Sequence, residues 1–283
     1  MKIKLELAVD YYIQQVEPLL LKKEACNNLM LGILGRIKET PDAYENGYCL
    51  GIVEQENEAV FAFMQTPPNN WILAAVDRVP DDVIQKVALF IFNKRTAVPG
   101  VLGPIEEAEM FKSEWERLSN VGSSIHVKQL IYRLDDVNPL PEVEGELRHA
   151  TQYDCELVKN WLVQFGVEAN EPVSNEYAVQ LASSFIGRSS LYLWEVDGVP
   201  VSMANQSRKT RNGSTINAVF TPDEYKRNGF ATATVATLSS KLLAEGSGFC
   251  SLYTDLDNPD SNSIYRKIGY YEVGKSIVYE FKA

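Results

Sequence analysis

Two stretches of this 283-residue chain run through nearly the same succession of helical and strand-like segments, and that internal echo limits the possible folds more than any single motif. They are separated by Asp135 to Glu146, which holds two prolines, a glycine and five acidic residues without apolar periodicity. Downstream, Glu146 to His149 reads as a short strand. Thr151 with Asp154 three residues on is a helix-start signal ahead of Val158, Trp161, Leu162 and Phe165. Ser174 can cap a second helix that stops at Gly187, and three strand-like runs follow, the first two joined at Asp197-Gly198. A helix from Ala231, a strand over Phe249 to Thr254, a helix from Asn258-Pro259 to Gly269 and strand material from Tyr271 to Phe281 complete this half. Upstream, a helical pattern over residues 10 to 38, interrupted at Pro18, is followed by strands at Tyr48 to Val53, Ala59 to Met64 and Trp71 to Val76. A helix from Asp81, a short strand at Val101, a helix to Ser119 and a strand over Ile125 to Leu134 come next. The two halves read as two copies of one α+β architecture, each a mixed, mostly antiparallel sheet flanked by helices. The expected division is 1–136, a linker over 137–145, and 146–283. A single larger α+β domain with coincidental order is the alternative.

Composition narrows the function. With 45% hydrophobic and 23% charged residues the chain is ordinary globular material, and a chain of this length buries a core without covalent staples. The net charge of −11 is spread, acidic residues outnumbering basic ones in both halves. Such a surface repels phosphate backbones and acidic lipid, so neither nucleic acid nor membrane is an expected partner and a neutral or cationic substrate suits it better. Cys26, Cys49, Cys155 and Cys250 lie far apart, with only His126 and His149 to join them, so no metal site is expected. Lys4, Glu6 and Asp10 break the apolar pattern at the start, and no long uncharged run exists. A signal peptide and a membrane span are therefore not expected, and the reducing cytoplasm is the expected compartment.

The chemistry concentrates between Asn217 and Ala236, NAVFTPDEYKRNGFATATVA, where a strand ends at Thr221-Pro222, a polar turn follows and Gly229 leads into a helix. The first amides of a helix lack partners and sit at the positive end of its dipole, so this junction can hold an anion such as pyrophosphate. Gly229 permits close approach, and Lys226 and Arg227 add charge. One glycine before a helix is also what a plain structural turn contains. The phosphate-loop and dinucleotide glycine patterns are both absent.

Together with FCSLYTDLDNPDSNSIYRKIGY, which begins at Phe249, this string resembles the GCN5-related N-acetyltransferase family in its two most diagnostic regions. In that family a loop of pattern Arg/Gln-x-x-Gly-x-Gly/Ala clamps the pyrophosphate of acyl-coenzyme A. The resemblance puts Lys226 at the first position, Gly229 at the central glycine and Ala231 at the last. It turns the backbone of Arg227, Asn228, Gly229, Phe230, Ala231 and Thr232 toward phosphate. Lys226 departs from the usual Arg or Gln, and Arg227 stands where glycine is common. The resemblance further implies that Val219 and Phe220 bond the pantetheine arm by their backbone, where this strand splays from the next. It implies that Asn258 lies beside pantetheine and that Tyr265 protonates the departing thiolate. A tyrosine hydroxyl, with a reference pKa of about 10, is protonated at neutral pH and can donate. Read from the residues alone, Asn258 is equally a helix cap before Pro259, and Tyr265 a core aromatic.

The implied activity is transfer of an acetyl group from acetyl-CoA to a primary amine by direct attack, without a metal. The acceptor, a small molecule or a peptide, stays open, as does the oligomeric state. The alternative is an acyl-CoA-binding sensor or partner-binding module that kept the fold without turnover. A lysine-like amine is neutral only about once in 2,500 at pH 7, a cost of about 4.6 kcal/mol, so a base is wanted. Glu195, Asp255 and Asp257 lie near strand ends, where surface solvation explains them equally well; His126 and His149 read as solvated or packed residues. The first half has no such loop: its counterpart, DRVPDDVIQK, carries Asp77, Asp81 and Asp82, which repel pyrophosphate, so that half reads as a degenerate copy.

Overall fold

The computed structural model describes residues 1–44 and 46–282. The chain forms two compact units, one of residues 1–131 with 273–283 and the other of residues 132–272. Unit 1 contains β1 (Lys2–Glu6), α1 (Val9–Leu20), α2 (Asn28–Glu39), β2 (Cys49–Gln55), β3 (Glu58–Gln65), β4 (Trp71–Leu73), α3 (Val83–Lys94), β5 (Gly100–Pro104) and α4 (Ile105–Ser119). A long strand, β6 (Ser123–Leu134), begins in unit 1 and ends in unit 2. Unit 2 contains β7 (Glu146–His149), α5 (Cys155–Glu168), α6 (Asn175–Gly187), β8 (Leu191–Val196), β9 (Val199–Lys209), β10 (Gly213–Phe220), α7 (Phe230–Ala244), β11 (Phe249–Asp255) and α8 (Pro259–Ile268). The last strand, β12 (Tyr271–Phe281), leaves unit 2 after two residues and runs on in unit 1, antiparallel to β5.

In unit 1 the strands lie in the order β1-β2-β3-β4-β5-β12, with β4 and β5 parallel and their other neighbours antiparallel. The charges at Lys4 and Glu6, which interrupt apolar character near the start of the chain, alternate with Ile3 and Leu5 and so mark a strand edge. Lys4 reaches Glu54 of the neighbouring β2 at 2.8 Å. Pro18 lies inside α1, and the helical stretch breaks later, over residues 21–27. Proline withholds a single N–H, and α1 ends two residues beyond it. Phe61, Phe63, Trp71 and Phe111 are fully buried at the centre, and the Tyr12 hydroxyl donates to the Gly51 carbonyl at 3.1 Å.

In unit 2 the order is β11-β10-β9-β8-β7, with β10 and β11 parallel and the rest antiparallel. Thr151 and Asp154 form the expected capping box ahead of α5, and Ser174 caps α6 by accepting from the Tyr177 amide at 3.2 Å. Asp197 and Gly198 both take positive φ, 49° and 78°, as the two-residue turn joining β8 and β9 requires. Val158, Trp161 and Leu162 of α5 and Ala178, Ala182 and Ile186 of α6 pack on Leu191, Leu193, Met203, Ala218 and Phe220. Each fully buried large side chain there contributes about 1.5–3 kcal/mol, so this layer holds the sheet rigid beside the loop that follows β10. Residues 137–145 lie in unit 2: the Asn138 amide donates to the Ile268 carbonyl at 2.8 Å, and the Trp194 indole donates to the Glu144 carbonyl at 2.9 Å.

Candidate active site

Strands β10 and β11 are paired only at their starts, Gly213 to Thr215 against Phe249 to Ser251. Beyond that β10 follows β9 alone. Between the pairs Asn217–Asn205 and Phe220–Met203 it carries one extra residue, and Ala218 takes a left-handed φ of 47°. This bulge bends β10 away from its parallel neighbour. It is pinned by side chains: Asn205 donates to Asn217 Oδ1 at 2.8 Å and accepts from Ser190 Oγ at 2.7 Å. At the end of the strand the Phe220 carbonyl turns toward β9 and accepts from Ser202 Oγ at 3.1 Å, and Thr221 Oγ1 donates to Ser202 Oγ at 2.8 Å. Because successive peptide groups alternate, those of Val219 face the other edge, the side that β11 has left. Of the two strand residues expected to offer backbone to a ligand, Val219 has that aspect. Phe220 presents its carbonyl to β9, and its ring packs 6.1 Å from that of Trp161.

The loop after β10 passes through a short 3-10 turn, Asp223–Tyr225, then Arg227 at φ 69° and Gly229 at φ 83°, and Gly229 is the N-cap of α7. Among the described residues no side chain caps that helix. Among the described residues, none of the backbone amides of Arg227, Asn228, Gly229, Phe230, Ala231 and Thr232 donates to an acceptor in the chain. Unpaired amides in a left-handed turn ahead of a helix form a cradle for an anion. Gly229 and Thr232 border a cavity of about 550 Å³ that runs along α7 beneath residues 137–145, with Leu140, Val143, Trp194 and Lys267 also lining it. A Cβ on Gly229 would stand 3.3 Å from Val143 Cγ2, in a backbone conformation that side chains rarely adopt.

The two basic residues of the loop differ. Lys226 Nζ lies 2.7 Å from Glu168 Oε1 at the end of α5 and 2.6 Å from Asp223 Oδ1. Burial acts to lower its pKa, but hydrogen bonds to Asp223 and Glu168 prevail and hold it above the ordinary lysine value. Arg227 is exposed and makes no side-chain bond among the described residues. Nothing in the sequence foretells the tie to Glu168, a contact 58 residues away.

Asn258 caps α8, its Oδ1 accepting from the Ser261 amide at 3.0 Å, behind Pro259 at the first helical position. Its side chain is exposed, and its amide nitrogen has no partner among the described residues. Tyr265 lies on the buried face of α8, with ring centroids 6.2 Å from Tyr132 and 6.0 Å from Tyr270. Burial pushes its phenol up to about 12, and its hydroxyl bonds to no group in the described chain. Sequence reasoning missed Asn262. It is 4% exposed, and its Nδ2 reaches the carbonyls of Asn258 (2.7 Å), Asp255 (3.0 Å) and Leu256 (3.4 Å), which fastens the turn between β11 and α8. Its signal was a polar residue three positions before Tyr265, on the buried helix face.

The candidate bases are engaged or exposed. Glu195 is bonded to Arg148 Nε, and Arg148 also holds Asp154 at 2.9 Å. Asp255 accepts from the Asp257 amide at 2.9 Å, and both residues are exposed. The His149 ring lies 4.3 Å from that of Tyr192, and His126 Nδ1 is 3.2 Å from Glu280 in unit 1. Among the described residues no group of three His, Cys, Asp or Glu is arranged to hold a metal, and no helix is long and apolar enough to cross a membrane.

Residues 197–278, which include the loop, Asn258 and Tyr265, match the family model described as FR47-like protein. No curated protein matches the chain by sequence. In fold, it is similar over its whole length to a GNAT-family acetyltransferase from Colwellia psychrerythraea, at 13% identity and a TM-score of 0.57, each chain covered in full. It is similar also to a tandem GNAT protein from the clavulanic acid biosynthesis pathway, at 11% identity, 98% coverage of both chains and a TM-score of 0.58. A Drosophila protein aligns at 11% identity over 99% of this chain and 98% of its own, with a TM-score of 0.68. The chain thus shares the fold of the tandem GNAT proteins along its length, and its sequence match to the FR47-like model spans the loop after β10 and the helix α8.

Proposed function

We propose that the chain is an N-acetyltransferase that moves an acetyl group from acetyl-CoA to a primary amine by direct attack. The activity is assigned to the second half, expected over residues 146–283 and folded as the unit of residues 132–272, and the first half, expected over residues 1–136, is read as a degenerate copy. The observation that carries this reading is the run of six unpaired amides from Arg227 to Thr232, beside a strand edge that β11 has left. A diphosphate and a neighbouring amide-bearing arm are the chemistry such a pair of features suits: the amides donate to the anion, and Val219 pairs with the arm. Acetyl-CoA supplies the activated carbonyl. In this reading the Asn258 amide nitrogen, which has no partner among the described residues, donates to the arm while its oxygen caps α8.

Tyr265 holds the proton for the departing thiolate. With its phenol pushed up to about 12 it stays protonated throughout the working range of pH. A free thiol ionises near about 8.5, so proton transfer from so weak an acid is uphill in water. The same burial raises the thiolate's own basicity and narrows that gap. The four free cysteines accord with the reducing cytoplasm as the compartment. The test is thiol release from acetyl-CoA over a panel of small amines and peptide N-termini. Turnover with at least one amine is expected, and Tyr265→Phe should lower kcat about a hundredfold with nearly unchanged affinity for acetyl-CoA. An equal rate for the variant removes the acid role.

A second reading, an acyl-CoA sensor without turnover, is favoured by one observation: Glu195 is taken up by Arg148, and Asp255 and Asp257 are exposed. Binding without thiol release across the panel would select it.

A further inference from the structure

Strand β4 occupies in unit 1 the place that β10 occupies in unit 2. Each pairs antiparallel with the strand before it and parallel with the strand after it, and each leaves that parallel partner early. In unit 1 the parallel pairing stops at Ile72–Leu102, while the Ala74 amide still donates to the Ala62 carbonyl of β3 at 3.0 Å. Alternation therefore turns the peptide groups of Ala75 to the vacated edge, the aspect Val219 has in unit 2.

In unit 1 that edge is taken. Asn27, 3% exposed, accepts from the Ala75 amide at 2.8 Å and donates to the Ala75 carbonyl at 2.8 Å, as a neighbouring strand or an amide ligand would. Its remaining N–H donates to the Leu20 carbonyl at 2.9 Å. Asn27 stands at the N-cap of α2, where an asparagine oxygen ordinarily accepts from the helix, yet it makes no capping bond. One residue further along the chain, Lys23 Nζ donates to the Val76 carbonyl at 2.9 Å. Among the described residues no side chain bonds to the peptide groups of Val219. The helix start differs as well: the left-handed residue ahead of α3 is Asp82, at φ 62°, where Gly229 stands ahead of α7. A carboxylate there opposes an anion at the helix end.

We propose that Asn27 is an internal stand-in for the ligand's amide. By closing both hydrogen-bonding groups of Ala75, it shuts the slot of unit 1, so that each chain takes one CoA thioester, in unit 2. This rests on the function proposed above and adds the stoichiometry and the residue that sets it. The desolvated Asn27–Ala75 pair leaves no unpaired group for a ligand to satisfy, and a ligand amide would have to expel a buried side chain to bind.

The test is calorimetric titration of the full chain with acetyl-CoA, together with hydrogen exchange. One equivalent per chain is expected, with protection gained over residues 219–232 and none over 74–83, and with all uptake lost in Gly229→Val. Two equivalents, or protection at 74–83 in addition to that at 219–232, overturns the inference and leaves the function of unit 2 standing; a single equivalent that survives in Gly229→Val overturns both. No uptake by the native chain overturns the proposed function and this inference together. In Asn27→Ala, exchange of the Ala75 amide should rise at least tenfold while affinity in unit 2 is unchanged; an unchanged Ala75 amide overturns the role given to Asn27.

Discussion

At the scale of single residues, burial does more than charge. Tyr265 and Cys250 both have pKa values pushed up to about 12 by burial, from 10.0 and 9.0. Each is therefore neutral in the fold. The stability that comes from keeping them neutral is fully present below their unfolded values and is lost as pH climbs toward 12. Unit 2 should accordingly hold its structure to about pH 9 and lose it progressively above that, followed by far-ultraviolet circular dichroism against tyrosinate absorbance. Tyrosinate forming well before the fold is lost contradicts this. Lys226 looked in the sequence like a phosphate ligand, but Glu168 and Asp223 already hold it. Exposed pairs of this kind are worth about 0.2–1 kcal/mol, so Lys226→Gln should change acetyl-CoA affinity by less than about fivefold. Arg227→Gln, which removes the exposed, unpaired charge, should cost more in the same titration. Residue type and spacing made the left-handed turn at Gly229, the helix cap at Asn258 and the buried place of Tyr265 legible. They did not reveal Glu168, because a contact between a helix end and a loop 58 residues away leaves no local trace.

At the scale of elements, the proposed site is two strand-to-helix junctions, each held by side-chain hydrogen bonds of its own. The turn between β11 and α8 depends on the Asn262 amide and the three carbonyls it reaches. Net contributions of about 0.5–1.5 kcal/mol per bond make Asn262→Ala costly, by about 2–3 kcal/mol in denaturant unfolding. The loss should be accompanied by a higher KM for acetyl-CoA, because Asn258 loses its fixed position. A stability loss with an unchanged KM would mean that the turn is merely structural. The junction at β10 depends on the bulge at Ala218 and the Ser190–Asn205–Asn217 chain of side-chain bonds. Helix starts, the Asp197-Gly198 hairpin and the capping box were readable because they are local agreements between a side chain and the backbone within four residues. The bulge was not, since an alanine at positive φ carries no sequence mark and arises from the mismatch in register between β9 and β10.

At the scale of the whole molecule, the chain's end does not belong to the unit its sequence neighbours form. Residues 273–283 lie in unit 1, where β12 pairs with β5 from Ser276–Pro104 to Glu280–Gly100. Removing residues 273–283 should therefore strip a strand from unit 1 and leave unit 2 folded. Limited proteolysis of the shortened chain is expected to cut first within residues 1–131 and to spare 146–268; first cuts in unit 2 would contradict it. The sequence by itself determined the tandem α+β order, the loop with Gly229, and the helix bearing Asn258 and Tyr265, because periodicity, caps and turn residues act over one or two turns of chain. Tertiary structure alone decided that β12 ends in unit 1, that Lys226 faces carboxylates, and that Asn27 fills the edge at Ala75. Each of these is a pairing between groups far apart in the chain. Which partner a backbone edge or a charge finds depends on what else is buried around it, and that is fixed only when the core closes.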